Sequence, residues 1–401
     1  MDSYLFSGLK VLDVATVIAA PAAAMILAEF GADVIKIESP EGDLLRRIEA
    51  ISGLPEDKQD YMWQLDGRNK RSIALDLTTE EGMAVMHQLV SECDVFITNQ
   101  PFPLRDKLGL NYEDLKIINP KMVYASLSAY GEHGPERDRK AFDQLAYWAR
   151  GGQMDLMRDK DSRPVQGLAG MGDHPTSLAI YSGIVTALLQ RERTGEGGLV
   201  HTSLMANGIW SNGSTIQAMI GGGNGDFFRE ERHTPRVQLR VYRCSDDRWL
   251  QLNMLRSLDE FDALVIALDA PDLMYRFELS EFEDLLDVRV EFGEALEKIF
   301  MTRSSSEWLD IFALHDIPIN RVGKVEEIVG DEQAIQNEML VKPNDPEITM
   351  PFLVKHPIQI SSVPQVEPKR SPRLSEHAEE ILQELGYDDI EIQKLRSKGV
   401  I

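Results

Sequence analysis

Cysteine is almost absent from this chain: Cys93 and Cys244 are the two among 401 residues. So few thiols exclude a disulfide framework and a cysteine-based metal site. They fit a reducing, cytoplasmic compartment. Long apolar runs are missing too; none approaches the roughly 20 residues that cross a bilayer. The opening Met1-Asp2-Ser3-Tyr4-Leu5-Phe6 has neither the basic stretch nor the apolar core of a signal peptide. The eight histidines include none paired at i,i+4 with a nearby glutamate, which argues against a zinc hydrolase. No G-x-S-x-G elbow is present, so an ordinary serine esterase is excluded, as is a P-loop enzyme. No G-x-G-x-x-G follows the first strand pattern, where the turn reads Thr16-Val17-Ile18-Ala19-Ala20-Pro21. A nicotinamide or flavin dehydrogenase is therefore disfavoured.

Positive charge is also in short supply. Forty-two Lys and Arg face 66 Asp and Glu, a net charge of −24. Such a surface repels nucleic acid and anionic membranes. The basic residues that exist gather early, in three knots: Arg68, Lys70 and Arg71; Arg105 and Lys107; Arg137, Arg139 and Lys140. Each knot alone fits a solvated surface patch as well as a site. Three within the first 140 residues of so acidic a chain point to a phosphate-bearing ligand.

What is present is a βαβ rhythm. Leu9 to Ala15 reads as a buried strand, Pro21 to Phe30 as a helix with proline in its first turn, and Asp33 to Glu38 as the next strand. Strand Ser72 to Asp76, helix Thr79 to Glu92, and strands Asp94 to Thr98 and Met122 to Ser126 continue it. This alternation predicts an α/β fold with a Rossmann-like parallel sheet covered on both faces. Two long helices, His174 to Arg193 and Leu204 to Met219, flank a strand at Leu199 to Ser203. Gly221 to Gly225 then breaks the chain and reads as a linker. Beyond it, strands Leu239 to Cys244 and Trp249 to Asn253, a helical acidic stretch over 255–315 and a strand at Ile317 to Val322 suggest a smaller α+β domain. Glu376 to Ser397 reads as a polar helical tail. The expected division is a large domain over 1–225, a small one over 226–325, and a segment over 326–401.

Asp173 lies in Gly170-Met171-Gly172-Asp173-His174-Pro175, where a long helix begins. A plain N-cap explains an aspartate there. A nucleophile explains it too: a helix start lowers a carboxyl pKa, and bare glycines let a bulky ester approach. The local residues leave both readings open.

The longer pattern is more specific. VLDVATVIAAP at 11–21, FGADVIKIESPEGD at 30–43, GRNKRSIALDL at 67–77 and YGEHGPERDRKAFDQLAY at 130–147 come first. GMGDH at 170–174, TALLQRERTGEGGLV at 186–200, HDIPINRV at 315–322 and EHAEEILQELGY at 376–387 follow. In this order they resemble the class III CoA-transferases, over nearly the whole chain. The resemblance implies transfer of CoA from an acyl-CoA donor to a carboxylic acid, with Asp173 as the nucleophile and aspartyl anhydride and thioester intermediates. It implies CoA contacts at Val17, Asn99, Lys107 and Lys140, with Arg71 of the first knot beside them. Gly222 and Gly223 are candidates for a catalytic loop. It also implies an interlocked homodimer, and no metal or cofactor beyond the CoA thioester itself.

Two departures bear on the substrate. Ile18 replaces a glutamine of the formyl-CoA branch, and Ser39 replaces an arginine, so an acid less polar than oxalate is expected. FDQLAYWARGG at 142–152 looks closest to the branch acting on 2-hydroxyacyl and enoyl acids. The α-methylacyl-CoA racemases share the fold but need a histidine where Phe142 stands, which disfavours that alternative. A non-catalytic CoA-binding protein is a further alternative, disfavoured by the intact Asp173. His174 is read as a first-turn helix residue and Asp143 as the cap of the helix that follows it.

Overall fold

The computed structural model describes residues 4–48, 54, 60–253 and 255–401; Met1 to Ser3 of the opening segment lie outside them. The chain forms two compact units, one of residues 1–154, 166–216 and 332–401, the other of 155–165 and 217–331.

The first unit is built on six parallel strands: β1 (Lys10–Asp13), β2 (Asp33–Glu38), β3 (Arg71–Ala74), β4 (Val95–Thr98), β5 (Val123–Ser128) and β6 (Gly198–Ser203). Their order is β3-β2-β1-β4-β5-β6. Alternate residues serve opposite faces. Val11, Val34, Val95, Val123 and Ala125 pack on α1 (Ala19–Glu29) and on the long helix Asp173–Thr194. Leu12, Ile35, Ile37, Phe96 and Tyr124 pack on Glu80–Glu92 and the two terminal helices, Ala378–Glu384 and Asp389–Ser397. Both faces are thus buried, which is why the strands read as short continuous apolar runs. α1 is buried on every side, and its alanines let the neighbouring helix and the sheet approach closely.

Three expectations change in detail. The helix expected over Leu204 to Met219 is two, Leu204–Ser211 and Gly213–Ile220. The break falls at Asn212, whose side chain donates to the Gly151 carbonyl at 2.9 Å, next to a glycine that weakens the helix. The tail is two helices whose Ile381, Leu382, Ile392 and Leu395 are buried, not a polar appendage. The glycine run is a hydrogen-bonded corner rather than a linker. Gly222 and Gly223 donate to the Met219 and Ala218 carbonyls at 3.0 and 2.8 Å, and Asn224 caps the next helix, Gly225–His233.

The second unit carries a three-stranded antiparallel sheet, β7 (Val241–Arg243), β8 (Trp249–Leu252) and β9 (Ile319–Arg321). Helices cover it through an aromatic core of Phe261, Phe292, Phe300, Trp308 and Phe312. The segment 155–165 is held to it by Arg229, which donates to Asp155 at 2.7 Å, and Arg232, which donates to the Met157 carbonyl at 3.1 Å.

Candidate active site

The strand order reverses direction between β1 and β4, which lie side by side while their following connections leave in opposite directions. Open α/β sheets bind ligands at such a point, outside the carboxyl ends of the strands. A cleft of about 750 Å³ opens there. Its walls come from the turns after β1, β2, β4, β5 and β6, and include Val17, Ile18, Asn99, Lys140, Phe142 and Asp173. The Asn99 side chain ties the β4 turn to the β1 turn: it accepts from the Thr16 N–H at 2.8 Å and donates to the Thr16 carbonyl at 2.7 Å.

The β1 turn rests on a buried ion cluster. Asp13 is fully buried at the end of β1; Lys70 lies 2.8 Å from its Oδ2 and Lys36 lies 3.7 Å from its Oδ1. Lys36 reaches on to Asp43 at 2.8 Å and donates to the Ala15 carbonyl. Asp43 in turn accepts from the Val17 and Leu45 N–H groups at 3.0 and 2.9 Å. Val17 has φ of +67°, a strained conformation for a β-branched residue. Asp43 holds it there. Burial alone would push the Asp13 carboxyl up, but Lys36 and Lys70 outweigh it and hold it below its ordinary value.

Asp173 is the first residue of the long helix, and Gly172 occupies the cap position. The aspartate does not act as a cap: among the described residues its carboxylate takes no hydrogen bond. Asp143 does that work instead. One of its oxygens accepts from the Gly170 and Gly172 N–H groups, each at 3.1 Å, and the other accepts from Gln144 at 2.8 Å. Asp143 therefore caps the helical turn Gln144–Ala149, as expected, and fixes the glycine loop as well. The ring of Tyr147 packs on Gly172, where a Cβ would come within 2.7 Å of it. Asp173 is thus presented, 9% exposed, without a partner.

Its electrostatics reverse the expectation from the helix start. Burial first, and then the charges of Asp143 and Asp66, push its carboxyl up to about 7, with His174 opposing them. That rise corresponds to roughly 4 kcal/mol, more than the ~2 kcal/mol a helix start offers at best. His174 lies beside it, its Nε2 3.2 Å from Asp66 Oδ1.

The basic knots separate. Arg68 is buried against Glu29 Oε1 at 2.6 Å, and Lys70 belongs to the Asp13 cluster. Arg71 lies at the amino end of β3, bound to Asp33, Glu380 and Glu384 at 2.6, 3.0 and 2.9 Å; it does not line the cleft. Exposed Lys107 does not line it either, because it projects away from Arg105 on the short helix Phe102–Leu108. Arg105 is the member of that knot at the cleft, donating to the Gln100 carbonyl at 2.5 Å and to Ser126 Oγ at 2.7 Å. Its guanidinium and that of Arg137 both lie over the Phe102 ring, 4.6 and 3.9 Å from the centroid. Arg47 and Lys140 reach the cleft without an ion pair among the described residues. Gly222 and Gly223 belong to the second unit's corner, while the cleft is lined by the first unit alone. Residue types did not single out Asp43, Asp66, Arg47 or the loop-holding role of Asp143; the acidic SPEGD and basic knots were the nearest signals.

Comparison with known proteins shows the family. The model of CoA-transferase family III matches residues 6–378. The chain is 35% identical to a cinnamoyl-CoA:phenyllactate CoA-transferase of Clostridium sporogenes over 397 residues, 98% of this chain and 96% of the relative. It is 31% identical to an (R)-2-hydroxy-4-methylpentanoate CoA-transferase of Clostridioides difficile, covering 99% of both. A crystal structure of a CaiB/BaiF family protein from Brucella suis superposes with a TM-score of 0.82 at 28% identity, covering 96% of this chain and all of the other.

Two consequences are testable. Asp43→Ala leaves Lys36 without one carboxylate and frees Val17, and it should cost about 3–5 kcal/mol in denaturant unfolding. A loss under 1 kcal/mol would show that the cluster does not hold the turn. Asp173→Asn should stabilise. Its carboxyl has a folded value above its unfolded one, so ionisation penalises the fold increasingly from about pH 4 and levels off above about 7. The variant's gain should therefore be larger at pH 8, roughly 2–4 kcal/mol, than at pH 5. Equal gains at both would mean that the carboxyl ionises normally.

Proposed function

The chain belongs to CoA-transferase family III and is a CoA-transferase, and from that premise we propose that Asp173 is the nucleophile that carries the transfer. The observation that carries this is a buried, unpartnered carboxylate opening onto the switch-point cleft. An Asp173 oxygen adds to the acyl-CoA carbonyl, and the C–S bond breaks to give a mixed anhydride and CoA thiolate. The thiolate then adds to the Asp173 carbonyl. The C–O bond to the first acyl group breaks, leaving an aspartyl-CoA thioester and the first free acid as its carboxylate. The acceptor carboxylate adds to that thioester, expelling thiolate and forming a second anhydride. Thiolate attack on the acceptor's carbonyl completes the new acyl-CoA and returns Asp173. No proton changes hands and no cofactor beyond the CoA thioester is required. Covalent steps of this kind divide one difficult exchange into easier ones.

The cleft supports an apolar acid. Ile18, Phe142, Leu145 and Leu204 line it, and the two relatives named above act on phenyllactate and on a branched 2-hydroxy acid. We read the substrates as 2-hydroxy or enoyl monocarboxylic acids with apolar chains. Phe142 places a hydrocarbon ring where α-proton exchange needs a base, so racemase chemistry is disfavoured. Arg47, Arg137 and Lys140 supply positive charge at the cleft for the CoA phosphates. The acting form is read as a cytoplasmic homodimer of two interlocked chains. Trp210, 83% exposed in the single chain, supports a second copy that covers it.

Intact-protein mass spectrometry after mixing with cinnamoyl-CoA, with hydroxylamine or borohydride trapping, should show modification at Asp173 and none in Asp173→Ala. Transfer retained by Asp173→Ala would overturn the nucleophile. Arg47→Ala and Lys140→Ala should each raise KM for acyl-CoA severalfold with kcat nearly unchanged, while Lys107→Ala changes neither. Unchanged KM in the first two would remove them from the phosphate site.

A further inference from the structure

The proposed nucleophile is followed directly by a histidine whose ring is bound to a buried carboxylate. Nε2 lies 3.2 Å from Asp66 Oδ1. The opposite edge of the ring faces Gly170. Protonation of the imidazole makes the Asp66 contact a charge-assisted one. Burial pulls the ring's pKa down, but the bond to Asp66 and the charges of Asp66 and Asp173 outweigh it, so His174 stays above its ordinary value.

The charges around Asp173 make that cation matter. Asp143 faces it from the turn before Gln144–Ala149, and Asp66 faces it from the helix Tyr61–Gly67. Both are buried and both are acidic. Lys70 is committed elsewhere, donating to the Asp66 and Pro21 carbonyls at 2.8 and 2.7 Å and to Asp13 at 2.8 Å. Tyr147, packed on Gly172, has its hydroxyl on Ser211 Oγ at 2.6 Å. Three carboxyls therefore converge with one cation, His174, set among them. Carboxylates gathered in this way do not all ionise without a compensating charge.

We propose that His174 is a positioning residue for the transfer reaction: held as an imidazolium by Asp66, it keeps the adjoining Asp173 carboxylate ionised and ready to attack. The inference rests on Asp173 being the nucleophile. It also gives the buried Asp66 side chain a purpose, as the hydrogen-bond partner that holds His174. His174 itself does not line the cleft, which suits a group that acts through its neighbour rather than on substrate.

The test is the pH dependence of Asp173 acylation in single turnover, followed by mass spectrometry with cinnamoyl-CoA on the full chain. In wild type the rate should rise with pH and reach half its plateau near neutrality. In His174→Gln the profile should move up by roughly one unit, about tenfold slower at pH 6 and within about twofold of wild type at pH 9. Coupling is reciprocal, so a second measurement covers a variant that folds poorly. The His174 imidazole, titrated by NMR in wild type and in Asp173→Asn, should lose its proton at lower pH in the latter. Superimposed acylation profiles, or a His174 titration indifferent to Asp173, would overturn the proposal while leaving the nucleophile in place. Absence of any adduct in wild type at every pH would instead remove Asp173 as nucleophile, and this inference with it.

Discussion

Asp13 is the residue on which the site's architecture depends. It ends β1, is fully buried, and binds two lysines: Lys36 from β2, and Lys70 from just before β3. The carboxyl end of β1, the middle of β2 and the entry to β3 are thereby tied together. The cluster is a weak source of net stability, because desolvating several charges offsets most of their attraction. What it provides is position. Lys36 holds the Ala15 carbonyl, Lys70 the Pro21 and Asp66 carbonyls, and Asp43 the Val17 N–H. Val17 costs about 1–3 kcal/mol in strain, and without these bonds its turn would relax out of the cleft wall.

The second constraint is the crowding of carboxyls at the long helix. Cap, proposed nucleophile and histidine partner are three roles divided among three aspartates. Asp143 accepts from three N–H groups, one Asp66 oxygen is bound to His174, and Asp173 takes no hydrogen bond among the described residues. The same glycines that bare the backbone give their N–H groups to Asp143. They are therefore unavailable as oxyanion donors, and the loop serves to aim Asp173 rather than to bind the developing charge.

Much of the sheet was legible because its inner strands are buried on both faces: β2 was read to the residue, and β1 and β4 within a residue or two at each end, while the more exposed β6 was read to within one. Period and turn signals suffice where packing agrees with local preference. The cleft residues Val17, Asn99, Lys140 and Asp173 came from motif order. The failures have a common cause. Arg68, Lys70 and Arg71 looked like one basic patch, but consecutive residues at a strand entry point in different directions. Each found a separate acidic partner distant in sequence: Glu29, Asp13 and Asp33. Lys107 came from the resemblance, and spacing along a short helix does not say that Arg105 is the residue facing in. Charge pairing across the fold leaves no local trace, so the ion cluster and the Asp66–His174 contact were invisible.

The raised carboxyl of Asp173 has a chemical logic. Moving an acyl group from thiolate to carboxylate is harder the more the thiolate exceeds the carboxylate in basicity. Taking a cysteine-like thiol at about 8.5 as the reference, an aspartate near 4 lies some four to five units below it, and one near 7 lies closer by about three. A more basic nucleophile makes the anhydride less uphill, but each step upward reduces the fraction ionised at neutral pH. Burial and the two neighbouring aspartates push in the first direction and His174 in the second. An aspartate balanced near 7 retains substantial ionisation while gaining most of the basicity, and a helix start with no neighbouring acids would have placed it on the unproductive side of that balance.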